Sequence, residues 1–235
     1  MNQPNKVEEL AYHSGVVAKR FIEQNRPRAY SKGKARYKEV ERDIETFGKV
    51  YDQAEAEVGI TASCKKGCNA CCKHGVLVSQ PDVDIILDYI DRHYDEPTRK
   101  IIHKKIRDAA EILDKEIGEA AKNIFEAKIK YFSREEESKQ QYFELQLPCP
   151  LLGEEGQCMV YPVRPDACWS YRVYGDPLDC ESSQNVPHGM IFLGLERYYV
   201  EKVKMTVSSG NMPKYESYHL AGFLPQKLRD GIAKK

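Results

Sequence analysis

The chemistry open to this chain resides in eight cysteines. They form a tight group, Cys64-Lys-Lys-Gly-Cys68-Asn-Ala-Cys71-Cys72, and a spread group, Cys149, Cys158, Cys168 and Cys180; residues 73–148 and both ends of the chain carry none. A core that merely tolerates buried thiols would scatter them, so the clustering points to metal ligation. A donor set made of sulfur alone selects zinc or an iron–sulfur cluster over hard cations. Gathering several thiolates is costly unless a cation compensates their charge. Lys65, Lys66 and Lys73 would ease that cost and favour the thiolate form, although lysines of this kind equally suit a solvated surface loop.

The tight group has the spacing i, i+4, i+7, i+8. On an α-helix this would make one stripe of sulfurs; on an irregular loop, with Gly67 supplying a turn, it could wrap around an ion. Neighbouring side chains rarely point to one place, so Cys71 and Cys72 need not share an ion. Eight thiols suffice for two four-cysteine sites, or for one site with thiols to spare. The reading favoured by the sequence is one main site that draws on both groups. Its leading ligands are Cys64, Cys68, Cys71, Cys149, Cys158 and Cys168, followed by Cys72 and Cys180. The spacing matches neither a zinc ribbon nor a ferredoxin run.

The elements that must position these residues read as mainly helical. A first helix is expected around Val7–Ile22. In a second, Val40, Ile44, Phe47, Tyr51, Ala54 and Val58 share one face until Gly59 ends it. Gly75–Pro81 reads as a short extended connector. Pro81 and Asp82 then start a helix with Val83, Ile86, Leu87 and Ile90 inward. After a break at Asp95-Glu96-Pro97 comes the longest periodic run, Ile102, Ile106, Ala109, Leu113, Ile117, Ala120 and Ile124. These two predict an antiparallel helix pair over 81–127. A helix over 133–146 leads to a Pro-, Gly- and Cys-rich segment reaching about 188, which should be loop-rich and in need of a clamp. A long helix from Met190 to Val207 and a short one near Tyr218–Leu228 complete the chain. The expected architecture is therefore mainly α, a helical protein with an irregular cysteine-rich metal-binding segment. It is divided as 1–60 (N-terminal helices), 61–180 (cysteine core with the inserted pair) and 181–235 (C-terminal helices packing on that core as one globular unit).

Composition sets the outer limits. Lys+Arg and Asp+Glu are equal at 36 each, so no bulk field draws the chain to nucleic acid. A mean hydropathy of −0.62 with 31% charged residues describes a well-solvated protein. The longest apolar runs, such as Met190-Ile-Phe-Leu193, fall far short of the ~18 residues of a membrane span. The first fifteen residues contain no apolar signal region, so a cytoplasmic setting is expected, where thiols stay reduced unless a metal holds them.

The cysteines also carry a resemblance. Cys64-x3-Cys68-x2-Cys71-Cys72, then Pro148-Cys149-Pro150-Leu151-Leu152, Gly156-x-Cys158, Tyr161, Arg164-Pro165-x2-Cys168 and a late Cys180 resemble the YkgJ-type CxxCxxCC family over about residues 61–180. The first gap is three residues where the family has two. The resemblance implies a zinc- or iron-chelating domain holding zinc or an iron–sulfur cluster, [4Fe–4S] by preference, in a structural or redox role. It leaves the protein partner or substrate open. One relative, the flagellin lysine N-methylase, implies iron–sulfur-dependent protein lysine methylation as the alternative. No glycine-rich nucleotide loop stands beside it: Gly153-Glu-Glu-Gly156 is a turn and Ser208-Ser-Gly210 an ordinary loop. No Ser-His-Asp or Glu-x-x-His constellation stands out.

Among the neighbours, His74 could replace a thiolate but more often such a residue is a bystander, and nothing beyond proximity to Cys180 links His188 to the site. Arg164 is expected to serve structure, Trp169 and Tyr171 to shield the cysteines from water, and Tyr161, Tyr171 and Tyr174 to pack.

Overall fold

A computed structural model describes residues 3–31, 33–118, 132–183, 185–208 and 222–234. These residues are mainly α, as the periodicity predicts, and fall into two compact units, each made of one earlier and one later stretch of chain. The first comprises 1–68 with 162–211, the second 69–161 with 212–235. Among the described residues, no helix is long and apolar enough to cross a membrane.

In the first unit, α1 (Gln3–Gln24) and α2 (Arg36–Val58) pack together. The stripe on α2 is the predicted one: Val40, Ile44, Phe47, Tyr51 and Ala54 are all buried, with Glu55 unexpectedly among them. Gly59 takes a left-handed backbone (φ +70°) and ends the helix by donating its N–H to the Ala56 carbonyl. The later stretch adds four short or medium elements: α6 (Asp166–Ser170), β2 (Tyr171–Val173), α7 (Asp179–Ser182) and β3 (Gly189–Ile191). It closes with α8 (Leu193–Ser208). β2 and β3 pair antiparallel, with Arg172 opposite Met190. The long helix expected from Met190 therefore begins only at Leu193. Met190 lies in a strand, because the Phe192 N–H is taken by the Ser170 carbonyl at 2.9 Å before the helix opens. Gly194 lets α8 approach α1, since a Cβ there would lie 2.4 Å from that of Ala18. The core is aromatic: Phe47 meets Trp169 at 5.0 Å and Tyr198 at 5.8 Å, and Phe21 meets Tyr198 at 5.5 Å.

In the second unit, β1 (Leu77–Val78) precedes α3 (Gln80–His93) and α4 (Glu96–Glu116). A capping box between Ser79 and Asp82 starts α3, and Asp95 caps α4 by accepting the Thr98 N–H at 3.0 Å. The predicted inward residues of both helices are buried; Ala120 and Ile124 lie outside the described residues. α5 (Phe132–Glu144) follows. Near the end of the chain, β4 (Gly222–Phe223) pairs antiparallel with β1 and runs into α9 (Leu224–Ile232). α9 occupies the place where the sequence suggested a piece near Tyr218–Leu228; Tyr218 is outside the described residues. α9 packs on both α3 and α4. α3 and α4 therefore meet chiefly through α9 rather than directly as the expected pair. Gln226 donates to Asp114 at 2.6 Å, and Arg229 forms an ion pair with the same carboxylate. Leu113, Ile117, Tyr142 and Phe223 form a buried cluster beside β1.

Candidate metal centre

No disulfide links any of the eight cysteines. The boundary between the units falls inside each cysteine group. Cys64, Cys68, Cys168 and Cys180 belong to the first unit, and Cys71, Cys72, Cys149 and Cys158 to the second. Each unit thus receives two cysteines of the tight group and two of the spread group.

Of the two shapes open to the tight group, the chain adopts the loop. Gly67 sits at φ +95°, where a side chain would be strained. Successive turns follow, with the Cys68 N–H on the Lys65 carbonyl, Cys72 on Asn69 and His74 on Cys71, at 2.9–3.0 Å.

In the second unit two hydrogen bonds tie this loop to the spread group. The Cys149 N–H donates to the Cys72 carbonyl at 2.7 Å, and the Asn69 amide donates to the Gly156 carbonyl at 3.2 Å. Gly156, at φ +76°, turns the segment back, so that Leu152 bridges Cys158 and the Met159 N–H reaches the Leu151 carbonyl at 2.9 Å. Cys149 and Cys158 are thereby brought together on one small hairpin, which Lys105 of α4 grips through the Leu152 carbonyl.

The thiols of this unit feel one another. A hydrogen bond from Cys72 holds Cys71 down from its ordinary value of 9.0 to about 7, more than offsetting its burial. Cys149 moves the other way. Burial pushes its thiol up to about 12, and the charges of Cys158 and Cys71 add to the rise while Lys105 opposes it. Burial, then the charges of Cys149 and Cys72, raise the nearby Tyr142 hydroxyl well above its usual range, so it stays protonated beside the sulfurs. Tyr94, raised by burial and by Cys158, donates to the Met159 carbonyl at 2.6 Å. His74 packs its ring edge-on against Phe143 at 5.1 Å.

In the first unit, the Cys64 sulfur accepts the Val173 N–H at 3.3 Å, while the Ser63 N–H donates to the Val173 carbonyl at 2.8 Å. Cys168 stands exposed on α6 and Cys180 is buried on α7. Trp169 is buried among Phe47, Tyr51 and Tyr199, so it packs the aromatic core. Gly189 lies directly against the Tyr171 ring. His188 is exposed at a left-handed turn.

The charged group that organises this region is one that sequence reasoning missed. Arg172, rather than Arg164, forms the buried ion pair: its Nη1 donates to Glu55 at 2.6 Å and to Asp52 at 2.7 Å. Burial works against its charge, and Glu55 with Asp52 more than restore it, so the guanidinium is held above its usual value. Tyr174 donates to the same Glu55 oxygen at 2.8 Å. The available signal was Glu55 itself, four residues after Tyr51 on an otherwise apolar face.

Among the described residues, no three His, Cys, Asp or Glu side chains form a ready-made metal cage. The donor set nonetheless fits a soft metal: four thiols in one unit, two hydrogen bonds holding their segments together, and a lysine whose charge favours the Cys149 thiolate. A family model described as "Putative zinc- or iron-chelating domain" matches residues 63–186, more than half of the chain, and spans all eight cysteines. No curated protein and no solved structure matches the chain.

Proposed function

Because the chain belongs to the CxxCxxCC family, we propose that its thiolates hold zinc or an iron–sulfur cluster, with Cys71, Cys72, Cys149 and Cys158 as the central ligands. Within the first unit, Cys64, Cys68, Cys168 and Cys180 are the thiols open to a metal of that unit. The observation that carries this reading is the 2.7 Å hydrogen bond from the Cys149 N–H to the Cys72 carbonyl. It joins two cysteine groups that are far apart in sequence and leaves their sulfurs close enough to perturb one another.

The role that follows is first structural. The hairpin of 149–158 has few ladder bonds of its own, and a metal bound by thiolates on both segments supplies folding free energy where the backbone supplies little. A redox role follows only if the metal is iron, where backbone amides and burial would set the potential. Binding must expel the proton of Cys149, while Cys71 is already poised to ionise near neutrality.

Anaerobic purification followed by metal and acid-labile sulfide analysis tests the reading. A brown protein with iron and sulfide assigns the cluster, and a colourless one with bound zinc assigns zinc. Cys71→Ser and Cys149→Ser should each strip the metal. Full metal retention in Cys149→Ser would refute the ligand set.

A further inference from the structure

We propose that Glu55 and Arg172, neither of them a ligand, act as positioning residues that aim the Val173 amide at the Cys64 sulfur. The idea rests on the reading of Cys64 as a metal-holding thiolate. Glu55 is only 5% exposed, on the apolar face of α2. One of its carboxylate oxygens accepts from Arg172 at 2.6 Å and from Tyr174 at 2.8 Å, the residues on either side of Val173. The other oxygen accepts the Ala62 N–H at 3.2 Å, two residues before Cys64. A single carboxylate therefore grips both segments whose meeting point is the 3.3 Å contact between the Val173 N–H and the Cys64 sulfur. The grip is closed by the Ser63 N–H on the Val173 carbonyl and the Ser63 hydroxyl on the Gly175 carbonyl at 2.5 Å.

Arg172 is fixed just as firmly. It bonds Asp52, Glu55 and the Gly48 carbonyl, and its guanidinium lies 5.4 Å from the Tyr51 ring centre and 5.8 Å from that of Phe192. A buried ion pair is a poor source of net stability, because removing two charges from water offsets most of their attraction. What this one provides is register between α2 and β2, and with it the direction of one amide. An N–H donated to a ligating sulfur orients it and tunes its donor strength, and outer partners of this kind commonly alter metal affinity about 10–100-fold.

The test is an anaerobic cobalt(II) titration of the reduced, metal-free full chain, read by the thiolate-to-cobalt charge-transfer band. Glu55→Gln and Arg172→Met should weaken cobalt binding by about 10–100-fold and shift the band, with Arg172→Lys recovering part of the loss. Tyr174→Phe, a milder change, should move both readouts in the same direction if the larger substitutions impair folding. Added to Cys64→Ser, Glu55→Gln should cause little further loss, because both act through one sulfur. Variants with a lowered melting temperature but an unchanged band and affinity would show a purely structural role and overturn the proposal. Absence of any band in the wild-type chain would instead remove the metal reading on which it stands.

Discussion

Cys71 and Cys149 lie on segments joined by two hydrogen bonds, yet their protons are held with very different strength. The Cys72 hydrogen bond favours the Cys71 thiolate and brings it to about 7, whereas enclosure favours the Cys149 thiol and brings it to about 12. The linkage signs are therefore opposite. The Cys71 contribution to stability is present above its ordinary value of 9.0 and is lost as pH falls through about 7. The Cys149 contribution is present below 9.0 and is lost as pH rises towards about 12. In the metal-free chain, iodoacetamide should alkylate Cys71 with a midpoint near pH 7, and peptide mapping should find Cys149 unreacted at that pH. Cys72→Ala should move the Cys71 midpoint upward, because the hydrogen bond is the largest cause of the depression. An unchanged midpoint in that variant would remove Cys72 as the cause.

The helix least visible in the sequence is the one that completes the second unit. α9 passes close to α3 at Gly231, where a Cβ would lie 2.6 Å from Val83 Cγ1 and 2.9 Å from Leu87 Cδ1. Gly231→Val should cost about 1–3 kcal/mol by overpacking, measurable as a lower midpoint in urea; an unchanged midpoint would mean that α9 yields without cost. What was legible follows the same physics. α2, α3 and α4 could be read because each buries one stripe at helical spacing, with a glycine, a capping box and an aspartate at the ends. α9 spans only Leu224–Ile232, so its stripe is too brief to fix its limits. At Met190 the apolar pattern suits helix and strand alike, and the choice is made by pairing with Tyr171–Val173. The grouping of the cysteines could be read from their spacing, but their division between units depends on contacts such as Cys149 to Cys72 that no local pattern records. Glu55 and Arg172 were illegible for the same reason: 117 positions separate them.

At the scale of the whole molecule, balanced charge leaves little long-range electrostatics to drive folding or partner choice. Stability then depends on local burial, and each unit joins an apolar helical core to a cysteine loop with sparse backbone pairing. A ligand that binds the folded form alone adds RT ln(1 + [L]/Kd), about 2.7 kcal/mol at a hundredfold excess over Kd. For chains of this size about 1 kcal/mol moves the melting midpoint by roughly 2–4 °C, so removing the metal should lower it by about 5–10 °C. Chelation under reducing conditions followed by calorimetry measures this, and re-addition of the metal should restore the midpoint, rising with the logarithm of its free concentration above Kd. If Cys149 surrenders a proton on binding, as the proposed ligand set requires, the restored increment should grow between pH 6 and pH 8. A midpoint indifferent to chelator, metal and pH would mean that the cysteine loops are held by their backbone turns alone.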